Sequence, residues 1–159
     1  MKKYELTNET KVVFGRTLHR IRALVAFGDV EAGEMGGWIE KESNLAQSGD
    51  AWVYGDAWVY GNAQVYGNAR VCGDARVEKT THYLLIGAIG SRNDTTTFFR
   101  AKDKQIFVKC GCFRGSIDDF VKAVKETHGG TKHEKTYMLA VELAKAQIED
   151  VENGGAEDA

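Results

Sequence analysis

Apolar and turn-forming residues recur every six positions from residue 49 to residue 78. Each unit reads Gly, then Asp or Asn, then Ala, a variable residue, Val and a second variable residue. Ala and Val stand two apart, so on an extended segment they share one face, while the variable positions take the other. Gly followed by Asp or Asn is the corner signal, because both tolerate positive φ. A constant period means that each unit repeats the backbone path of the last and stacks on it. A degenerate unit, Ser43 to Ser48, precedes these five, with Leu45 in the Ala place and Gln47 in the Val place. Residues 43–78 therefore hold six hexads. Units three hexads apart are expected to lie one above another, placing Trp52 against Arg70, Trp58 against Arg76, Val53 on Val71 and Val59 on Val77.

Outside the repeat the periodicity changes. Residues 1–42 predict short strands that cover the first hexads, because an open end would expose unpaired backbone. Arg16 to Phe27 is rich in strand formers, and Gly36-Gly37 precedes Trp38-Ile39. Tyr83 to Ile89, Thr95 to Arg100 and Gln105 to Cys110 read as strands, with a turn at Lys102-Asp103-Lys104. Gly87 to Asp94 and Gly111 to Ser116 read as loops. Two helices follow: Ser116 with Asp119 and Thr131 with Glu134 are N-terminal capping pairs. Ile117, Phe120, Val121 and Val124 fall at helical spacing in the first, and Tyr137, Val141, Ala144, Ile148 and Val151 in the second. Gly129-Gly130 separates them. The expected organisation is a repeat unit at 1–78, a small α+β module at 79–152 and a disordered acidic tail at 153–159.

The hexads, with Val followed four places later by Ala (Val53 with Ala57, Val59 with Ala63, Val65 with Ala69, Val71 with Ala75), resemble those of the hexapeptide-repeat proteins. That resemblance implies a β-rich fold, a short left-handed parallel β-helix of about two coils, followed by a small sheet and two C-terminal helices. It also implies a homotrimer. The outward rings Trp52, Tyr54, Trp58, Tyr60 and Tyr66 are the expected oligomer interface, since a narrow stack should not leave so much aromatic surface to water.

Composition narrows the partners. The chain has 159 residues and a formal net charge of −2, so no global field attracts nucleic acid. No apolar run reaches membrane-spanning length, and the start MKKYELTNET lacks a signal peptide's apolar stretch. A cytoplasmic location is expected. Three cysteines give no disulfide framework, and Cys110 with Cys112 is too small a set for a structural metal site. No metal or cofactor is expected.

Candidate chemistry lies in the two Gly-containing loops. A helix N-terminus after Gly111 to Ser116 favours anions. Ser91, Arg92, Asn93, Thr95 and Arg100, together with Gly111, Arg114 and Ser116, are the residues expected to gather round a phosphate or carboxylate. No catalytic pair stands out, which weighs toward binding rather than catalysis.

The chain as a whole is similar to small phage and prophage proteins of unassigned function. The stretches that carry this are GGWI at 36–39, the Gly-Asp/Asn-Ala-x-Val run, IGAIGSRNDTTTFFR at 86–100 and CGCFRG at 110–115. That likeness implies a phage or prophage context, in which the Gly- and Arg-containing loops would make this an oligomeric anti-defence binding protein that sequesters an anionic small molecule, such as a host nucleotide immune signal. Two alternatives stand beside it. One is a hexapeptide-repeat acyltransferase using CoA donors, with His82 or His128 as the general base. The other is a structural module that binds a host protein.

Overall fold

The computed structural model describes residues 1–152, so the tail expected to be disordered, 153–159, lies outside the described residues. The chain forms two compact units, Met1–Thr80 and a second from Thr81 onward.

The first unit opens with a hairpin of β1 (Tyr4–Val13) and β2 (Arg16–Ala23), and β3 (Met35–Ile39) pairs antiparallel with β2. The hexads then supply four strands of two residues each: β4 (Trp52–Val53), β5 (Trp58–Val59), β6 (Arg70–Val71) and β7 (Arg76–Val77). The three-hexad stagger holds. Trp52 lies opposite Arg70, Val53 opposite Val71, Trp58 opposite Arg76 and Val59 opposite Val77, all in parallel register. The Ala and Val positions are fully buried, as period-two alternation requires. The hexad glycines all have positive φ, and at Gly49 a Cβ would stand 2.9 Å from the Gly67 carbonyl oxygen, so stacked corners leave no space for a side chain.

The expected left-handed parallel β-helix does not form. The strands build open sheets of mixed topology: a five-stranded sheet in the order β1-β2-β3-β5-β7, and a separate pair, β4-β6. The reason lies in β3. Its parallel partner is β5, but its other edge is hydrogen-bonded antiparallel by the long β1–β2 hairpin. The hexad ladder thus becomes one margin of a mixed sheet. With only two residues per rung it is too short to impose a closed helical path on its neighbours.

The N-terminal segment does seat against the first hexads. Tyr4 Oη donates to the Leu45 carbonyl at 2.6 Å, and Lys3 Nζ donates to the Ala51 carbonyl at 2.7 Å. Burial lowers the Lys3 ammonium to about 8, with Asp50 opposing and Arg70 reinforcing the shift. The sign of the linkage follows. Between pH 8 and the ordinary lysine value of about 10.4 the unfolded chain holds more protons at this position than the fold does, so stability rises with pH across that window. Burial holds the Tyr4 and Tyr137 phenols above their ordinary range, and these oppose the rise only above about pH 10. Thermal melts from pH 7.5 to 9.5 are expected to show a rising midpoint, and Lys3→Met is expected to flatten it.

The second unit is an antiparallel meander, β8 (Tyr83–Ile89), β9 (Asp94–Arg100), β10 (Ile106–Cys110) and β11 (Phe113–Ser116), in the order β11-β10-β9-β8. Helices α1 (Ile117–His128) and α2 (Lys132–Gln147) pack on one face. The stretch read as a loop at 111–116 is mostly β11. Gly111, at φ 56°, reverses the chain at once, so Cys110 pairs with Phe113 and only Gly111 and Cys112 remain as the turn. Phe98, Ile106, Val108, Ile117, Phe120, Val124, Val141 and Ala144 form the core. Ser116 caps α1, its Oγ accepting from the Asp119 N–H at 3.1 Å. Ser116→Ala is expected to lower the stability of this unit by about 1 kcal/mol in urea titrations. Helix α2 ends at Gln147, four residues before Val151, because Ile148 adopts an extended conformation.

Candidate functional site

The residues expected to bind an anion are divided by the sheet. Side chains at 106, 108 and 110 face the helices, so those at 107 and 109 face away. Arg114 pairs with Lys109 and therefore lies on the face turned from the helices. Arg100 stands at the far end of β9, opposite Ile106. At about 3.3 Å per residue, six residues separate it from Asp94 by roughly 20 Å. The three arginines 92, 100 and 114 are not brought together. Ser116 is occupied as a helix cap, Asn93 turns the β8–β9 loop at φ 51°, and the Thr95 N–H donates to Asp94 Oδ1 at 2.8 Å.

Ser91, Arg92 and Gly111 do meet. They line a cavity of about 260 Å³ bounded by the β8–β9 loop, the β10–β11 turn and the two helices. Its floor is apolar: Phe113 and Phe120 lie 5.3 Å apart between ring centroids, with Ala123 and Val124 beside them. Arg92 approaches the β10–β11 turn so closely that a Cβ on Gly111 would stand 3.0 Å from Nη1. Among the described residues no ion pair engages Arg92. Asp94, Cys110, Cys112, Thr127, His128 and Tyr137 complete the lining.

Two of the polar residues that the helices bring to the cavity matter most: His128, already a candidate general base beside His82, and Tyr137, which sequence did not mark as part of a site. His128 ends α1, and its ring lies 5.8 Å from that of Tyr137 on α2. Tyr137 is also edge-on to Phe120 at 5.5 Å. Cys110 Sγ points at the Tyr137 hydroxyl from 3.8 Å and accepts from Thr96 Oγ1 at 3.2 Å. Burial, then the contact with Cys110, pushes the Tyr137 phenol up to about 12, so it remains a proton-bearing donor in neutral solution. Tyr137 reads in sequence as one member of an apolar stripe, and His128 as the residue before a Gly-Gly break. Only the helix pairing reveals that they share a cavity. His82 has a different setting: it is fully buried and its Nε2 sits 2.8 Å from Asp150. Among the described residues no cluster of three His, Cys, Asp or Glu side chains is arranged to hold a metal.

The aromatic residues assigned to an oligomer interface are largely consumed inside the first unit. Trp52 is buried edge-on to Tyr4 and Phe27. Tyr60 is buried with Leu18 and Trp38, and Arg76 lies 3.6 Å above the half-buried Trp58 ring. Tyr54 is half-buried. Tyr66 alone of the five is exposed, at 58%. Among the described residues no helix is long and apolar enough to cross a membrane.

No family model matches the chain. One curated relative is the Escherichia coli (strain K12) protein described as the uncharacterized acetyltransferase YdcK. The two are 39% identical over 62 residues, which is 34% of this chain and 19% of that protein. The chain thus spans about a fifth of the length of the curated relative it matches. This distant, partial similarity corrects two expectations. It weighs against the expectation of a protein without catalysis, because the matched relative is described as an acetyltransferase. The phage and anti-defence reading finds no support, since the likeness lies with a bacterial protein described as a transferase.

Proposed function

We propose that the protein is an acyltransferase that takes its acyl group from a CoA thioester and delivers it to a small acceptor held in the cavity of the second unit. The observation that carries this reading is the cavity itself: an apolar floor with His128, Tyr137 and Arg92 at its polar side. Imidazole is the side chain that most often serves as general base. His128 accepts the proton of the attacking acceptor as its nitrogen or oxygen bonds to the thioester carbonyl and the C–S bond breaks. That proton then passes to the departing thiolate. The Tyr137 O–H, kept protonated by burial, donates to the oxygen on which charge develops. Arg92 orients an anionic group at the mouth. The partial likeness to YdcK supports the reaction class and carries no residue assignment.

The volume also supports a divided arrangement. Sites for drug-sized ligands span about 300 to 1,000 Å³. A cavity of about 260 Å³ takes an acceptor or the acyl end of a donor, and leaves the nucleotide of coenzyme A outside. Acetyl-CoA incubated with the protein and a panel of amines and alcohols, with free CoA thiol measured by a chromogenic disulfide, tests the reading. Release that depends on both protein and acceptor is the expected result. Its absence across the whole panel would count against acyl transfer.

A further inference from the structure

We infer that the acceptor is a free α-amino acid with an apolar side chain, bound by Arg92 through its carboxylate and by Asp94 near its ammonium. The inference rests on the acyl-transfer reading for its chemical consequence, but the binding claim stands on the cavity alone. Arg92 in the β8–β9 loop and Asp94 at the start of β9 border the same cavity with opposite charges, and the wall beyond them is made by Phe113, Phe120 and Val124. A zwitterionic head with an apolar body is the small molecule that answers both features at once. A purely anionic ligand would face the Asp94 carboxylate, and a purely cationic one the Arg92 guanidinium. The Thr95 N–H holds one oxygen of Asp94, which fixes the orientation of the carboxylate. Guanidinium matches a carboxylate with two parallel hydrogen bonds, a geometry that lysine does not offer.

Size agrees: about 260 Å³ lies just below the range of about 300 to 1,000 Å³ for drug-sized ligands, as a single amino acid requires. In the reaction, the ammonium first gives one proton to solvent. The amine nitrogen then bonds to the thioester carbonyl as C–S breaks, and its remaining excess proton reaches the thiolate through His128. The products are an N-acyl amino acid and free thiol.

Calorimetry with L-phenylalanine, phenylalaninamide and 3-phenylpropanoate, with L-leucine as a smaller body, tests this without acyl donor. In the native protein, loss of either charged group is expected to weaken binding ten- to a hundredfold, the range for charge-assisted hydrogen bonds. Arg92→Gln is expected to abolish the penalty for the amide, and Asp94→Asn the penalty for the propanoate. Both residues are exposed, so neither change threatens the fold. Equal binding of the three phenyl compounds overturns the inference. So does no binding of either amino acid up to roughly 10 mM, or an unchanged preference in both variants. Selective amino-acid binding with no thiol release leaves the ligand class standing and removes acyl transfer. Thiol release with alcohols alone does the reverse.

Discussion

His128→Ala is expected to lower acceptor-dependent thiol release from acetyl-CoA by a hundredfold or more, with the fold unchanged. A positioned general base contributes about 10² to 10⁴ in rate. His128 ends its helix half-buried, so truncating it removes no core contact of weight. The loss should fall on kcat rather than KM, because proton removal belongs to the transition state and not to ground-state binding. His82→Ala provides the contrast. That imidazole is fully buried beside Asp150, and its loss leaves a vacancy where a buried side chain packed. It should cost about 1–3 kcal/mol of stability, with kcat per folded molecule little altered. If both variants keep native kcat, the cavity is not the seat of the chemistry. If His82→Ala alone inactivates a folded protein, the base has been assigned to the wrong histidine.

Gly90→Ala is expected to destabilise the second unit by about 3 kcal/mol and to weaken any ligand of the cavity. Two costs combine. The backbone there has φ 80°, where a Cβ costs about 1–2 kcal/mol. The added methyl would also stand 1.8 Å from the Tyr137 hydroxyl and 2.5 Å from its Cζ, so the ring must move. Overpacking of this kind typically costs 1–3 kcal/mol. Tyr137 is hemmed in by Phe120 and His128, and it shifts toward the cavity only by disturbing those contacts. Urea unfolding gives the measurement. Combining Gly90→Ala with Tyr137→Phe should recover part of the loss, because the nearest atom is removed while Cζ still crowds the methyl. A Gly90→Ala protein as stable as the native one would mean that the ring does not rest on this glycine.

How much was legible in the sequence differs between the two units. The hexads set their own register, since an exact period leaves one way to stack glycine corners and bury every Ala and Val. The helices were equally plain: their caps and apolar stripes are local signals, and α1 starts where Ser116 predicts. The β10–β11 turn was misread because Gly-Cys-Phe-Arg-Gly looks like a loop until Gly111 is seen to reverse the chain in two residues. The aromatic rings on the hexads were read as surface because their alternation places them outside, yet alternation does not reveal what the N-terminal segment brings over them. Tyr4 and Phe27, more than twenty residues upstream, bury Trp52.

The candidate site shows the same division. Ser91, Arg92 and Gly111 were marked by composition and do border one cavity, while Arg100 and Arg114 were marked by the same reasoning and lie elsewhere. Strand pairing decides this. A one-residue change in position turns a side chain to the other face, and the pairing of Arg114 with Lys109 fixes which face it takes. His128 and Tyr137 come within contact only because two helices pack side by side.

By itself the sequence determined what short-range physics controls: the hexad stacking register, the buried Ala and Val columns, the strand segments β8, β9 and β10 of the second unit and the limits of α1. The tertiary structure alone decided that the hexads form the margin of an open mixed sheet, that their tryptophans are covered, and which polar side chains share a cavity. Those outcomes depend on contacts between segments far apart in the chain, whose formation is set by packing and loop closure rather than by any local pattern.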